Sequence, residues 1–260
     1  MKSQFGIVTR ASACFVSSFI LLMLLTMPAH ADLFDTASVT VPGTSDPWLA
    51  GMPSGSSASY NPSDPSVSGP DLAPAQSPVF VGNVVPGSLI TWSATGGVSN
   101  YSPPDPADIA GPKGDPTLIL SHFNGAENGI SDITVPVNAL LGVFLGDSQP
   151  SVNPAPGASD FTLQADRNYT VLYPALQQVF YMGAGSTDTG IPQTVVAPQG
   201  ATRLFLGTMD GYQWADNYGS FDVTVNDPRP DHHPVPEPST MLLLGSGLMG
   251  LWGFRRKVKR

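Results

Sequence analysis

The loop at residues 210–219 carries the side chains whose types and spacing best suit metal chemistry. Its oxygen-bearing side chains are Asp210, Asp216 and Asn217, and Gly211 and Gly219 let the backbone turn so that carbonyl groups can also face inward. Oxygen-only ligation is the chemistry of Ca²⁺, whereas zinc would want His or Cys. Long ordered loops are usually functional. The loop therefore predicts a calcium site, and an Asx-rich turn without metal is the alternative.

The segments around this loop have the patterns of strands. They are separated by Gly, Pro and Asn, and none has a convincing helical period. The predicted strands cover residues 77–82, 88–94, 118–120, 139–145, 168–173, 193–196, 202–209 and 221–226, and 32–41 could add a short one. Residues 175–182, after Pro174, come nearest to a helix. Many short strands predict an all-β fold, a jelly-roll-like β-sandwich.

The N-terminus has the three parts of a secretory signal peptide. Residues 1–31 contain a positive start, an apolar run and the small-x-small site Ala29-His30-Ala31. We expect cleavage after Ala31. The single cysteine, Cys14, leaves with this peptide, so the exported protein has neither a disulfide nor thiol chemistry.

Composition divides the rest of the chain into three parts. Residues 32–75 are rich in Pro, Ser and Gly, which predicts a linker, although Trp48 and Tyr60 could dock on the domain. Residues 76–228 are predicted to form the β-sandwich domain. Residues 229–260 are predicted to form a Pro-rich stalk and a sorting tail.

Charge is distributed unevenly along the chain. Two of the 11 basic residues lie in the signal peptide and five at the C-terminus, whereas all 20 acidic residues lie between these ends. Four basic residues against 20 acidic ones give the exported part a net charge of −16. Such a surface repels nucleic acid and suits divalent cations. Acidity that only keeps a secreted protein soluble is the alternative.

The C-terminus has three blocks. It begins with the polar turn Val235-Pro236-Glu237-Pro238, continues with the uncharged span 241–254, and ends with five cations in residues 255–260. An apolar span closed by a basic cluster is typical of a membrane stop with a cytoplasmic basic end. The span is shorter than the ~20 apolar residues of a comfortable crossing and is interrupted by glycines. We therefore expect temporary anchoring.

This tail resembles the PEP-CTERM sorting motif in its Pro-Glu-Pro turn, its glycine-broken span and its basic end. The resemblance implies that an exosortase, a membrane protease, recognises the tail. It further implies export through the inner membrane to the cell surface or extracellular matrix, with transient anchoring by the C-terminal span. An ordinary single-span anchor is the alternative.

Residues 84–225 resemble the galactophilic PA-I type lectins and their galactose-binding-like relatives. The matching motifs are Asn100-Tyr101-Ser102-Pro103, Gly111-Pro112-Lys113-Gly114-Asp115, Val196-Ala197-Pro198, and Asp210 with Asp216-Asn217 and Gly219-Ser220-Phe221. In that family Ca²⁺ bridges to two sugar hydroxyls. The family's sugar-contacting His and Gln are absent from residues 116–119, so the resemblance implies metal binding more than a preference for galactose.

Carried over residue by residue, the resemblance implies a set of ligands. Asp210, Asp216 and Asn217 would supply side chains to calcium. Tyr101 and either Gln213 or Trp214 would supply carbonyl oxygens. The bound sugar would lie against Tyr101 and the three side-chain ligands, and Tyr212 is an aromatic residue that could stack on it.

No sequence motif indicates an enzyme. The chain has no Gly-x-Ser-x-Gly, no His-Glu-x-x-His and no phosphate loop. His122 is expected to be a surface or turn residue. We therefore predict a non-enzymatic surface or matrix protein that binds calcium and, with it, carbohydrate such as exopolysaccharide. A structural protein in which calcium only stiffens a loop is the alternative, and a glycan hydrolase that uses paired carboxylates is a weaker one.

Overall fold

A computed structural model describes residues 33–67, 69–101 and 108–228. The predicted signal peptide and the sorting tail lie outside these residues. The strands are β1 (Thr36–Pro42), β2 (Ser57–Ala58), β3 (Asp71–Leu72), β4 (Val79–Asn83), β5 (Leu89–Ser99), β6 (Asp115–Ser121), β7 (Ile133–Val137), β8 (Leu140–Leu145), β9 (Ser159–Asp160), β10 (Val171–Leu172), β11 (Val179–Tyr181), β12 (Thr194–Val196), β13 (Arg203–Thr208) and β14 (Tyr218–Asn226). The short helices are α1 (Gln164–Arg167) and the 3-10 turns Pro47–Leu49, Pro150–Val152 and Trp214–Asp216.

Two sheets form the sandwich. The larger has the order β1-β14-β5-β12-β10, and the smaller has the order β11-β8-β13-β4. Their strands pair antiparallel, apart from β10 with β12. Phe221, Val223 and Val225 alternate along β14 and pack in one core with Phe144 and Leu204 of the smaller sheet. The predicted all-β sandwich is confirmed.

Strand β8, which lies inside the smaller sheet, is buried on both faces. Every residue of β8 is buried. Leu140 and Phe144 pack in the sandwich core, whereas Leu141 and Val143 pack in a second core on the opposite face. A continuous apolar run, rather than an alternating one, is what a strand covered on both faces requires.

The segment predicted to be a linker contributes to the second core. Trp48 and Leu49 are fully buried there, against Ile133 of β7 and the side chain of Trp214. The Trp48 indole nitrogen donates to the Ser131 carbonyl at 3.1 Å. Fully burying one large apolar side chain contributes roughly 1.5–3 kcal/mol, so this segment is an integral part of the domain.

The predicted linker at residues 32–75 and the predicted domain start at residue 76 are therefore wrong. The compact unit begins at Leu33, and β1 pairs with β14 from Thr36↔Asn226 to Pro42↔Ser220. Abundant Pro, Ser and Gly made the segment look unable to fold by itself. Its few apolar side chains, Trp48 above all, find their partners only in the rest of the domain.

Residues 175–182, the stretch that comes nearest to a helical pattern in the sequence, do not form a helix. That stretch contains β11, which pairs antiparallel with β8, and the one α-helical turn within the described residues is α1. Within the described ranges, no helix has the length and apolar character needed to cross a membrane. The predicted span at 241–254 lies outside those ranges.

Candidate functional site

A cavity of about 440 Å³ opens beside the loop at residues 210–219. A volume of this order suits a small organic ligand. The described residues that line the cavity are Asp64, Ser66, Asn100, Tyr101, Leu120, Ser121, Phe123, Asp210, Gly211, Tyr212, Gln213 and Asp216. Most of the residues predicted to bind a metal or a ligand therefore meet at one place.

Asp210 lines this cavity, two residues after the end of β13. It is 6% exposed, and its Oδ1 accepts a hydrogen bond from the Gly211 backbone N–H at 2.6 Å. Burial raises the pKa of Asp210 well above its usual range, the charge of Asp216 adds to this effect, and the hydrogen bonds from Gly211 and Asn217 oppose it. Two neighbouring carboxylates in a desolvated place form a site where a cation would be stabilised.

Asn217 is the third predicted side-chain ligand, and it is buried next to Asp210. Its Nδ2 donates to the Gly43 carbonyl at 3.1 Å. Within the described part of the chain, its Oδ1 has no hydrogen-bond partner although the side chain is only 8% exposed. Such an orphaned acceptor is costly in a folded protein and calls for an explanation such as a bound ion or water.

Gln213 and Trp214 were alternatives for a carbonyl ligand, and their environments differ. Gln213 has a left-handed backbone, with φ of 64°, and lies at the cavity. The Trp214 side chain is fully buried in the second core, and its indole nitrogen donates to the Thr208 carbonyl at 2.9 Å. The Trp214 carbonyl already accepts the Asn217 backbone N–H at 3.1 Å.

Tyr101 and Tyr212 lie at the rim of the cavity. Tyr101 is 41% exposed, and its hydroxyl donates to the Asp108 carboxylate. The Tyr212 hydroxyl donates to Asp64 Oδ2 at 2.8 Å. The ring of Phe123 meets the Tyr212 ring edge-on, with 5.9 Å between their centroids.

Sequence reasoning missed Asp64 and Phe123. Asp64 lies in the segment taken for a linker, 148 positions from its partner Tyr212, and no local pattern marks such a contact. Phe123 follows a strand as an isolated apolar residue and is 52% exposed. An exposed aromatic side chain next to a polar turn was the one available signal.

The N-terminal segment holds the site loop in place. The buried carboxylate of Asp71 accepts the backbone N–H of Trp214 at 2.8 Å and that of Ala215 at 2.9 Å. The Ser59 carbonyl accepts the backbone N–H of Gln213 at 3.3 Å. Burial raises the pKa of Asp71 to about 6. The loop conformation is therefore set by partners about 140 residues away in the chain.

His122 belongs to a buried network, so its expected place at the surface is wrong. The side chain is 3% exposed and stacks on Trp48 with 3.7 Å between ring centroids. Ser59 Oγ lies 3.0 Å from His122 Nε2 and 2.7 Å from Asp46 Oδ2. Burial lowers the pKa of His122 from 6.5 to about 4 and raises that of Asp46 well above its usual range. Contacts from three separate segments bury this histidine, and no local pattern encodes them.

Carboxylates and imidazoles alone do not form a metal centre here. Among the described residues, no group of three or more His, Cys, Asp or Glu side chains is arranged to hold a metal ion. Any metal at this loop would depend on amide and carbonyl oxygens beside Asp210 and Asp216. Such mixed oxygen ligation is compatible with Ca²⁺.

Comparison with known proteins identifies the C-terminal tail. Residues 234–257 match the family model described as the PEP-CTERM protein-sorting motif. The match confirms the sorting motif predicted at Val235, Pro236, Glu237 and Pro238. The motif indicates export and exosortase-dependent sorting to the cell surface.

Comparison of the whole chain with curated proteins found no match. Among solved structures, the chain is similar to one described as the EclA N-terminal domain, a PllA-like lectin, at 17% identity with a TM-score of 0.29. The match covers 73% of this chain and 94% of that one.

Proposed function

We propose that this exported surface or matrix protein binds Ca²⁺ at the loop 210–219 and, through the ion, carbohydrate in the adjoining cavity. The observation that carries the proposal is the orphaned, buried Oδ1 of Asn217 beside Asp210 and Asp216. Residues 1–31 act as the signal peptide and 229–260 as the stalk and sorting tail. The protein is a binding protein and not an enzyme.

The residues that would hold the ion supply the chemistry that Ca²⁺ takes. Asp210 and Asp216 offer carboxylate oxygens, and Asn217 offers its Oδ1. Of the two carbonyl candidates we favour Gln213, since the Trp214 carbonyl already accepts a hydrogen bond. Tyr101 contributes its carbonyl from the rim. The bound ion would supply open coordination positions for hydroxyl oxygens of a saccharide.

Electrostatics supports a cation at this place. The buried Asp210 carboxylate is destabilised both by desolvation and by the neighbouring charge of Asp216. A divalent cation would offset both costs. The exported part as a whole, with its net charge of −16, raises the local concentration of cations.

One observation favours a structural alternative. The loop is already held without metal, because Asp71 binds two of its N–H groups and the Gly43 carbonyl binds Asn217 Nδ2. In this alternative Ca²⁺ only stiffens the loop of a surface or matrix protein. The two functions differ in whether calcium-dependent glycan binding exists.

Calcium should stabilise the wild-type protein and enable it to bind glycans. At 100-fold excess over Kd, binding to the folded state alone raises the free energy of unfolding by about 2.7 kcal/mol. Asp210→Asn should remove most of this response, because the substitution removes the negative charge of the most buried side-chain ligand. Thermal unfolding with calcium and with chelator measures the response, and a glycan array under the same two conditions measures binding.

Asp147→Asn is the matched control. Asp147 is exposed and follows β8, at the end of the β8–β13 pair that is opposite to Asp210. Its substitution by Asn therefore removes the same charge without changing the site. This variant should respond to calcium like wild type. An equal response of Asp210→Asn would place the ion elsewhere. A calcium response without any glycan binding would leave the structural alternative in place.

Sorting should depend on the Pro-Glu-Pro turn. With Pro236→Ala and Glu237→Ala combined, we expect full-length protein to stay in the membrane, because the turn is the recognised part of the motif. Mass spectrometry of wild-type surface protein should find no peptide from residues 255–260. That peptide on most surface molecules would show that the tail is kept as an ordinary anchor.

A further inference from the structure

An exposed aromatic residue whose backbone is hydrogen-bonded to the site loop lines the cavity. Phe123 is 52% exposed, yet its backbone N–H donates to the Gly211 carbonyl at 2.9 Å. Its neighbour His122 is anchored in the buried network, with Nδ1 2.6 Å from the Gly125 carbonyl. Together with the edge-on Tyr212 ring, Phe123 forms a pre-positioned apolar surface. Such a surface binds the C–H face of a sugar ring at little entropic cost.

A hydroxyl acceptor stands on the same side of the cavity. Asp64 Oδ1 accepts the backbone N–H and the hydroxyl of Ser66, at 2.8 and 2.6 Å, and Oδ2 accepts the Tyr212 hydroxyl at 2.8 Å. A carboxylate has about four acceptor positions. Three are taken in this arrangement, which leaves one acceptor position for an incoming hydroxyl group.

The charge of the lining selects against anions. Among its described lining residues the cavity has three carboxylates, Asp64, Asp210 and Asp216, and no Lys, Arg or His. A bound Ca²⁺ would balance Asp210 and Asp216, and the charge of Asp64 would remain. A carboxylate or sulfate group on the ligand would be repelled by the negative charge of Asp64.

From these observations we infer a second subsite beside the calcium, in which Phe123 stacks on a sugar ring next to Tyr212, and Asp64 accepts a hydroxyl group of that sugar. This inference rests on the proposed function and adds the ligand class to it. The ligand is a neutral saccharide of at least two units, one at the ion and one at the aromatic pair. Uronic-acid and sulfated glycans are excluded.

The test uses the full chain with calcium on an array of neutral disaccharides, their monosaccharides and their uronic-acid counterparts. Wild type should prefer the neutral disaccharides. Phe123→Ala should weaken binding of neutral disaccharides about tenfold and leave the calcium-induced rise in Tm unchanged. Asp64→Asn should also weaken it and should bind the uronic acids better than wild type does. Phe80→Ala, at a 47% exposed phenylalanine outside the cavity lining, is the control and should bind like wild type.

The failures of the two proposals can be told apart. Calcium-dependent binding that is the same in Phe123→Ala and Phe80→Ala would overturn the subsite and leave the calcium site standing. Equal binding of neutral and acidic glycans by wild type would overturn the ligand class. A wild-type protein with no calcium response or no glycan binding would overturn the proposed function, and the subsite with it.

Discussion

Asp71→Ala should lower the free energy of unfolding by about 2–4 kcal/mol, because it leaves two backbone N–H groups of the site loop without their acceptor. Asp71 is 1% exposed and binds the N–H groups of Trp214 and Ala215. The N–H of Trp214 is buried, so water cannot replace the carboxylate there. The freed loop should also bind calcium at least tenfold more weakly, since it must then be ordered on binding.

Urea unfolding and calcium titration of the same samples measure the two effects. Asp71→Asn keeps one carbonyl acceptor and should fall between wild type and Asp71→Ala. Asp147→Ala, which removes an exposed carboxylate, is the control for the change in charge. If Asp71→Ala loses stability and still binds calcium like the control, the N-terminal segment supports the fold without positioning the site.

Acidification should remove a large part of the stability that the buried His122 contributes. Ser59 has one hydroxyl hydrogen, which it can donate to Asp46 or to His122 but not to both. The other of the two hydrogen bonds therefore needs a proton that is carried by Asp46 or by His122. Burial favours the neutral pair, a protonated Asp46 with an uncharged imidazole. The raised pKa of Asp46 and the lowered pKa of His122 agree with this assignment. The Glu127 carboxylate faces the same ring, with its Oε2 3.8 Å from Nε2.

The sign of the effect follows from the pKa of His122. It is about 4 in the folded state, against an ordinary 6.5, so the folded protein binds fewer protons than the unfolded chain between these values. Stability from this group is complete above pH 6.5 and is lost as the pH falls toward 4, by about 3 kcal/mol. Asp46 acts in the opposite direction. Its pKa is raised in the folded state, so the stability that it contributes is lost as the pH rises through this folded-state pKa.

A comparison with His122→Asn isolates the histidine from the carboxyl groups. The variant should be less stable than wild type at pH 7, and this difference should shrink by about 3 kcal/mol on going to pH 4. Chemical unfolding at a series of pH values measures it. His122 is the one histidine between residues 33 and 228, so no other imidazole of that region contributes. A stability difference that does not change with pH would show that the buried imidazole is not the titrating group.

The strands were predictable because their signal is local. The alternation of Phe221, Val223 and Val225 with polar residues is a property of consecutive positions, and the structure buries those three side chains. The uniformly apolar run of β8 is likewise a property of consecutive positions, and every residue of that strand is buried. Several short strands escaped prediction. One is β7, whose Pro136 argues against a strand in a local reading of the sequence.

The candidate site was predictable only in its local half. Asp210, Asp216 and Asn217 lie within eight positions of one another, so sequence spacing could bring them together. Tyr101 could be added only through a resemblance to lectins. Asp64 and Phe123 carried no such signal, because their place at the cavity depends on the folded N-terminal segment and on a backbone contact with Gly211.

By itself, the sequence determined the all-β class, the acidity of the exported part and the sorting motif at its C-terminus, all of which are written in composition and in neighbouring residues. Only the tertiary structure decided that residues 33–67 belong to the domain and that Asp71 and Asp64 reach the site loop. Those contacts span 143 and 148 positions. A Pro- and Ser-rich segment cannot bury enough apolar surface to fold alone. It becomes ordered because Trp48 and the buried carboxyl groups find packing and hydrogen-bond partners on a sheet that other parts of the chain have built.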